Sequence, residues 1–447
     1  MSIFKRHILE PIYCRLSRSP KLRYWKELEK SQFYPEERLR EFQWQQLKKM
    51  LYFSFENNVF YHNRFNNAGV LPNDIRSPSD LSRLPILSKA EIRSNTRSMI
   101  SRSYNIEKLQ KAKTGGSTGK ALKFFFTEEC SSLRNACTLR HDLWSGWKRG
   151  EPVAAIWGNP VFPTSFKEKI RQYFALPAMI YLDTMAVSSS SVLKFIEQWR
   201  RVKPTLIFGH AHSIFILSMF LEKLEIRDLR PSAVISSSMM LIPHEREKIE
   251  EVFGVRVTDR YGCEEVGLIA SECERHEGMH LNIEHLFIEF IRDDGTAAAP
   301  GETGKIVVTD LRNRAMPLIR YQVEDIGVPT DRQCSCGRGL PLMDGIIGRV
   351  ADFMIKKDGT RVAGVSLIEN TLTHFPGLDQ MQIVQNGFDE FLVRIVPGTD
   401  YNDRVIQELE KYFRQIFGNT IKVEFDLVDA IKAEKSGKYR FSICQIV

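Results

Sequence analysis

The chain has 447 residues, 43% of them hydrophobic and 26% charged, which is the balance of a globular protein too long for one ordinary core and so expected to form two or three domains. No apolar run approaches the ~20 residues that span a bilayer, and the opening Met-Ser-Ile-Phe-Lys-Arg-His-Ile-Leu-Glu has no secretory apolar core, so a cytoplasmic location is expected. The 63 Lys and Arg against 55 Asp and Glu give a mild +8, and with no nucleic-acid motif present no nucleic-acid partner is expected.

Residues 1–100 read as helices. Lys21, Arg23, Lys26 and Lys30 stand close to Trp25 and Tyr34. This suits a patch for a membrane surface or polyanion, or more simply a solvated helix face. Glu37 to Tyr61 carries Leu39, Phe42, Leu47, Leu51 and Phe53 at helical spacing, and Ser88 can cap the helix after it.

Residues 113–120 read Lys-Thr-Gly-Gly-Ser-Thr-Gly-Lys. Thr114, Ser117 and Thr118 supply hydroxyls, and Gly115, Gly116 and Gly119 free the backbone for close approach. Lys120 adds a positive charge. Such a loop wraps anionic oxygens with donors and points to a nucleoside triphosphate. It lacks the spacing of the common phosphate loop and of the dinucleotide fingerprint. The alternative is a Gly/Ser-rich surface turn.

A strand is expected at Ala121–Phe126 and a helix at Glu128–Trp144. From 150 to 270 short apolar runs (153–157, 205–209, 233–235) alternate with helices at 191–201, 212–224 and 243–253, a pattern of a mixed or mainly parallel sheet. Strands and turns follow: Leu281–Ile291, the turn Asp293-Asp294-Gly295, and Gly304–Thr309. Residues 349–447 look like a small β-rich α+β unit, with strands at Val350–Ile355, Phe391–Val396 and Ile421–Leu427 and a helix at 402–417. No internal repeat or low-complexity tract is present.

The eight cysteines are scattered, as plain thiols in a reducing compartment would be. One subset differs. Cys273-x-x-His276 with Cys334-x-Cys336 offers four ligands suited to closed, tetrahedral, structural zinc. The alternative is buried thiols plus a surface histidine.

Five more segments stand behind the glycine-rich loop: Ser236–Leu241, Tyr261-Gly262-Cys263-Glu264-Glu265, Arg314–Tyr321 ahead of Asp325, Gly348-Arg349-Val350-Ala351-Asp352, and Ser436-Gly437-Lys438. Together they resemble the adenylate-forming superfamily of acyl- and aryl-CoA ligases. The resemblance is closest to the phenylacetate–CoA ligase-like branch, including members associated with capsular polysaccharide synthesis.

The resemblance implies an α/β (mixed α+β) fold, with a large N-terminal domain over 1–347 and a small α+β C-terminal lid over 348–447. It implies an ATP-dependent, AMP-forming ligase that adenylates a small carboxylic acid and hands the acyl group to an acceptor, coenzyme A first. An amine such as an amino-sugar, or a catalytically silent binding scaffold, are the alternatives.

In this reading Thr114, Ser117, Thr118 and Lys120 hold the β- and γ-phosphates, with Gly115, Gly116 and Gly119 between them. Tyr261, beside Gly262, stacks on adenine, and Glu264 lies next to Glu265, which holds Mg2+. Asp325 takes the ribose hydroxyls, Arg349 contacts ribose or phosphate, and Lys438 bridges the carboxylate and α-phosphate after lid closure. The acyl pocket is expected from 208–213 and 236–238, with His210 facing a polar substrate or filling space. A monomer or homodimer is expected. Glu264 stands where Thr or Ser is usual, Met239 and Met240 where the adenine-side loop commonly has glutamate, and Ala351 where Asp is usual. These departures motivate the scaffold alternative.

Overall fold

The structure is a computed structural model. It describes residues 4–446 except 17, 114–122, 158–176, 184–188, 350–352, 359–360, 364–366, 368–370, 372–374, 376–377, 399–400, 403 and 432–441. By packing the chain forms two compact units, one of Met1–Val323 with Gly327–Gly345, the other of Glu324–Ile326 with Ile346–Val447.

The larger unit begins with helices, including Lys21–Ser31, Glu36–Asn57, Val59–Asn67 and Lys89–Asn95. The run expected as one helix from Glu37 to Tyr61 is broken at Asn58. That residue is extended, its side-chain oxygen accepts from the Tyr61 N–H at 3.2 Å, and its amide donates to the Met99 carbonyl at 2.6 Å. A buried asparagine with two backbone partners ends one helix and caps the next. Ser88 caps Lys89–Asn95 in a reciprocal box with Glu91.

Gln110–Lys113 (β1) and Lys123–Phe126 (β2) pair antiparallel, Lys113 opposite Lys123, and so bracket the glycine-rich loop. The helix Glu128–Trp144 follows at once. Thr127 caps it by accepting from the Cys130 N–H at 3.1 Å.

Among the described residues eleven strands form the main sheet: Val153–Trp157 (β3), Met179–Asp183 (β4), Leu206–His210 (β5), Ala233–Ser237 (β6), Val257–Cys263 (β7), Gly267–Glu272 (β8), Met279–Leu281 (β9), Leu286–Ile291 (β10), Gly304–Asp310 (β11), Tyr321–Pro329 (β12) and Leu342–Arg349 (β13). Their spatial order is β10-β11-β12-β13-β9-β8-β7-β6-β5-β3-β4. Strands β3 to β7 are mutually parallel, and parallel neighbours need crossovers. Ser189–Val202, Ala211–Lys223 and Pro243–Phe253 supply them. Their apolar faces (Phe195, Leu217, Ile249, Phe253) pack on Ile156, Ile207, Val234 and Val257. Pro243 opens the last of these helices and Gly254, at φ 73°, closes it.

The run expected as one strand from Leu281 to Ile291 is two. Asn282, Glu284 and His285 are buried between β9 and β10, and two of them face a buried arginine. Arg140 donates to Asn282 at 2.6 Å and pairs with Glu284 at 2.5 Å. A buried guanidinium needs such partners, so the chain turns here and the strand ends.

The smaller unit contains the hairpin Phe353–Ile355 (β14) and Arg361–Ala363 (β15), then Leu378–Gly387 (β16), Glu390–Pro397 (β17), the helix Arg404–Phe417, Lys422–Leu427 (β18) and Ser442–Cys444 (β19). The last four strands order as β18-β17-β16-β19, with β17 and β18 parallel. Leu409 and Phe413 of the helix bury against Ile383, Val393 and Ile395.

Candidate active site

Strands β3, β5, β6 and β7 end on one edge of the parallel half-sheet, where open α/β sheets take their ligands. Trp157 and Phe208 stack there with centroids 5.4 Å apart, and the His210 ring lies 3.8 Å from Trp157. Gly209 is required between them, since a Cβ there would sit 2.6 Å from the Ile156 carbonyl oxygen. The Arg260 guanidinium lies 4.6 Å over the Phe208 ring and pairs with Asp142 at 2.5 Å. Ser236 donates to Asp259 at 2.7 Å. Burial, with Glu272 close by, pushes the Asp259 carboxyl up to about 6.

Tyr261 and Gly262 lie at the end of β7, at a bulge against β8. A Cβ on Gly262 would meet the Gly267 carbonyl oxygen at 2.7 Å. In the turn that follows, Glu264 is exposed and Glu265 is 5% exposed. The Glu264 carboxylate therefore points to solvent and is not buried beside its neighbour.

Glu265 Oε1 accepts from the buried Tyr321 hydroxyl at 2.8 Å, and its backbone carbonyl accepts from Arg134 at 2.7 Å. Arg134 also pairs with Asp310 at 2.7 Å and lies over the Phe126 ring at 5.1 Å. Asp310 accepts from the backbone N–H groups of Arg312 (2.8 Å) and Asn313 (3.0 Å). Asn313 in turn donates to the Phe125 carbonyl of β2 at 3.0 Å. One buried network thus joins the strand after the glycine-rich loop, helix Glu128–Trp144, the turn at Glu265 and the Arg314–Tyr321 segment.

Sequence reasoning did not single out Arg134, Asp310 or Tyr321 as site residues. The available signal was charge inside an apolar stripe. Arg134 and Arg140 share the buried face of their helix with Leu133, Cys137 and Trp144.

Thr114, Gly115, Gly116, Ser117, Thr118, Gly119, Lys120 and Lys438 lie outside the described residues, as does the side chain of Arg349 at the end of β13. Asp325 is buried on β12 and belongs by packing to the smaller unit. Tyr261 and Gly262 close β7, and Glu264 and Glu265 stand in the turn directly after it.

The cysteine cluster forms with a different histidine. Ligand atoms of Cys273, His280, Cys334 and Cys336 all lie within 4.8 Å of one another. The Cys273 and Cys334 sulfurs are 3.6 Å apart, and Cys336 Sγ is 3.4 Å from His280 Nε2. His276, the expected ligand, sits at φ 56° and turns its Nδ1 to Glu272 at 3.1 Å. His280 is carried on β9, opposite Leu342 of β13. Its Nδ1 lies 3.1 Å from the Leu340 carbonyl, which orients Nε2 toward the sulfurs. Backbone N–H groups of Arg275 and Arg338 donate to Cys273 (3.4 Å) and Cys336 (3.5 Å). Three thiols and one imidazole fit closed tetrahedral zinc in number and chemistry.

Residues 354–445 match the CapK C-terminal domain family. The chain is 24% identical over 379 residues to Protein CapK of Staphylococcus aureus, a match covering 82% of this chain and 81% of that one. It is 27% identical over 340 residues to the phenylacetate-coenzyme A ligase of Escherichia coli K12, covering 71% and 72%. Among solved structures, 2-hydroxyisobutyryl-CoA ligase in the postadenylation state with R3-HIB-AMP superposes with a TM-score of 0.73 at 18% identity, over 93% of this chain and 92% of that one. The fold is that of the adenylate-forming enzymes. By sequence the chain is similar to phenylacetate-coenzyme A ligases and to CapK. Among the described residues no helix is long and apolar enough to cross a membrane.

Proposed function

We propose that the chain is an ATP-dependent, AMP-forming carboxylate ligase that activates a small carboxylic acid and passes the acyl group to coenzyme A. The observation that carries this is Glu265 on the turn after β7 in an adenylate-forming fold, its buried carboxylate held by Tyr321 and its backbone carbonyl by Arg134. In the first step a carboxylate oxygen attacks the α-phosphorus and pyrophosphate leaves. In the second the coenzyme A thiolate attacks the acyl carbon and AMP leaves.

Thr114, Ser117, Thr118 and Lys120 supply donors where leaving-group charge develops, and Gly115, Gly116 and Gly119 let the backbone approach. Tyr261, beside Gly262, stacks on adenine. Asp325 accepts from the ribose hydroxyls, Arg349 contacts ribose or phosphate, and Lys438 brings an ammonium to the reacting oxygens. Glu265 fits magnesium by chemistry: Tyr321 engages one carboxylate oxygen, and the other has no partner among the described residues. Bound there, magnesium would neutralise phosphate charge. Trp157, Phe208 and His210 line the acyl end of the cleft.

Cys273, His280, Cys334 and Cys336 hold structural zinc. A reaction consuming ATP and coenzyme A belongs in the cytoplasm, where the eight cysteines stay reduced.

Acid-dependent exchange of labelled pyrophosphate into ATP tests the first step, and thioester formation from the trapped adenylate tests the second. Exchange followed by amide formation with added amino-sugars would move the acceptor to an amine. Failure to bind ATP would overturn the proposal.

A further inference from the structure

The first thirty residues hold eight Lys and Arg against three Glu, a net +5 within a chain of +8. They also hold an apolar line that stands exposed among the described residues. The segment is helical from Lys5 to Leu16, a π-turn over Lys5–Leu9 leading into the α-helix Glu10–Leu16.

Its inward side is held by polar contacts. Glu10 pairs with Lys21 at 3.1 Å and with Arg149 at 3.1 Å, and Cys14 is buried. Ser19, just beyond, shares a hydrogen bond with Ser132 of helix Glu128–Trp144 at 2.9 Å. Its outward side carries Phe4, Ile8, Ile12 and Leu16, four residues apart and 52%, 45%, 50% and 80% exposed. Single exposed apolar side chains are ordinary. Four in one row along a helix, with the acid turned inward, reverse the usual arrangement.

Charge selects the occupant. Arg15 and Arg18 are exposed beside the end of the row, and Arg23, Lys26 and Lys30 are exposed on the helix that follows. The one acid of the segment, Glu10, is already neutralised by its two cations. A second copy on this face would bring two strongly basic segments together. An anionic surface with an apolar interior satisfies both features, as for helices that lie in the headgroup–acyl boundary.

We propose that the segment Phe4–Leu16, with Arg15 and Arg18, docks the protein reversibly on a bilayer containing anionic lipid. The proposal stands independently of the ligase reading.

Flotation of the full chain with phosphatidylcholine vesicles, alone or containing phosphatidylglycerol, tests it. Partitioning onto the anionic vesicles is expected to be about tenfold stronger or more, and to fall with added salt. Ile8→Glu with Ile12→Glu, and separately Arg15→Glu with Arg18→Glu, should each reduce it by about tenfold or more. Thermal unfolding should be unchanged, because these side chains are exposed. Hydrogen exchange on the unmodified chain needs no variant, and protection of residues 4–16 on anionic vesicles alone is expected. Equal binding to both vesicle types, or unchanged exchange over 4–16, would overturn the proposal. So would Ile8→Glu with Ile12→Glu dissociating an oligomer while vesicle binding persists, which would assign the row to a second copy.

Discussion

Replacing Arg134 by methionine removes a buried cation while filling most of its stem. Two bonds go with it, one to Asp310 at 2.7 Å and one to the Glu265 carbonyl at 2.7 Å. The Asp310 side chain is 0% exposed and would keep only backbone donors. Breaking a buried ion pair from one side costs about 3–5 kcal/mol, and the lost carbonyl bond adds about 1 kcal/mol. A loss of about 4–6 kcal/mol is therefore expected in urea unfolding followed by tryptophan fluorescence, since Trp144 lies on the same helix. Asp310→Asn keeps an acceptor for the Arg312 and Asn313 N–H groups without the charge. In the double variant it should restore about 2 kcal/mol of the loss. Pyrophosphate exchange by Arg134→Met should fall by about tenfold to a hundredfold through displacement of the Glu265 turn. A loss under about 1 kcal/mol, or strict additivity with Asp310→Asn, would refute the reasoning.

Further outcomes follow from the other clusters. Zinc measured by mass spectrometry should be stoichiometric in the unmodified chain and in His276→Ala, and lost in His280→Ala. Lys438→Ala should lower acid-dependent pyrophosphate exchange by about a hundredfold, with thioester formation from supplied acyl-adenylate less affected. Asp259, raised to about 6, holds its proton more tightly folded than unfolded, so its contribution to stability falls as pH rises from about 4 to about 6. Asp259→Asn should gain up to about 3 kcal/mol over the unmodified chain at pH 7.5 and nothing near pH 4, read from urea midpoints. The reverse trend would refute the assignment.

What was legible in the sequence was what local chemistry decides. Thr127 and the apolar spacing behind it mark helix Glu128–Trp144 at both ends, and Pro243 with Gly254 brackets the helix between them. The strands β3 and β5 stand out as continuous apolar runs because both faces are covered. Strands β8, β12 and β16 carry polar residues along their length (Glu272, Gln322, Gln380) and give no such signal. Long-range partners were illegible for a different reason. Asn58 reads as a helix residue until Met99 is seen beside it. Ligand spacing favoured His276, the histidine nearest Cys273, but the antiparallel return of β9 delivers His280 instead. The turn at Glu265 was legible as a motif. The pair that anchors it, Arg134 and Asp310, lies 176 residues apart in the chain.

Helix Glu128–Trp144 touches both clusters. Near its middle Arg134 grips the Glu265 turn. At its end the Trp144 ring meets His280 at 5.4 Å, and the Arg338 guanidinium lies 4.5 Å over it. Ten residues of helix separate these contacts, about 15 Å. Oxidation of Cys273, Cys334 or Cys336 would therefore tug on the same rod that seats the Glu265 carboxylate. A damaged thiol on one side of the domain would register as a sluggish adenylation on the other.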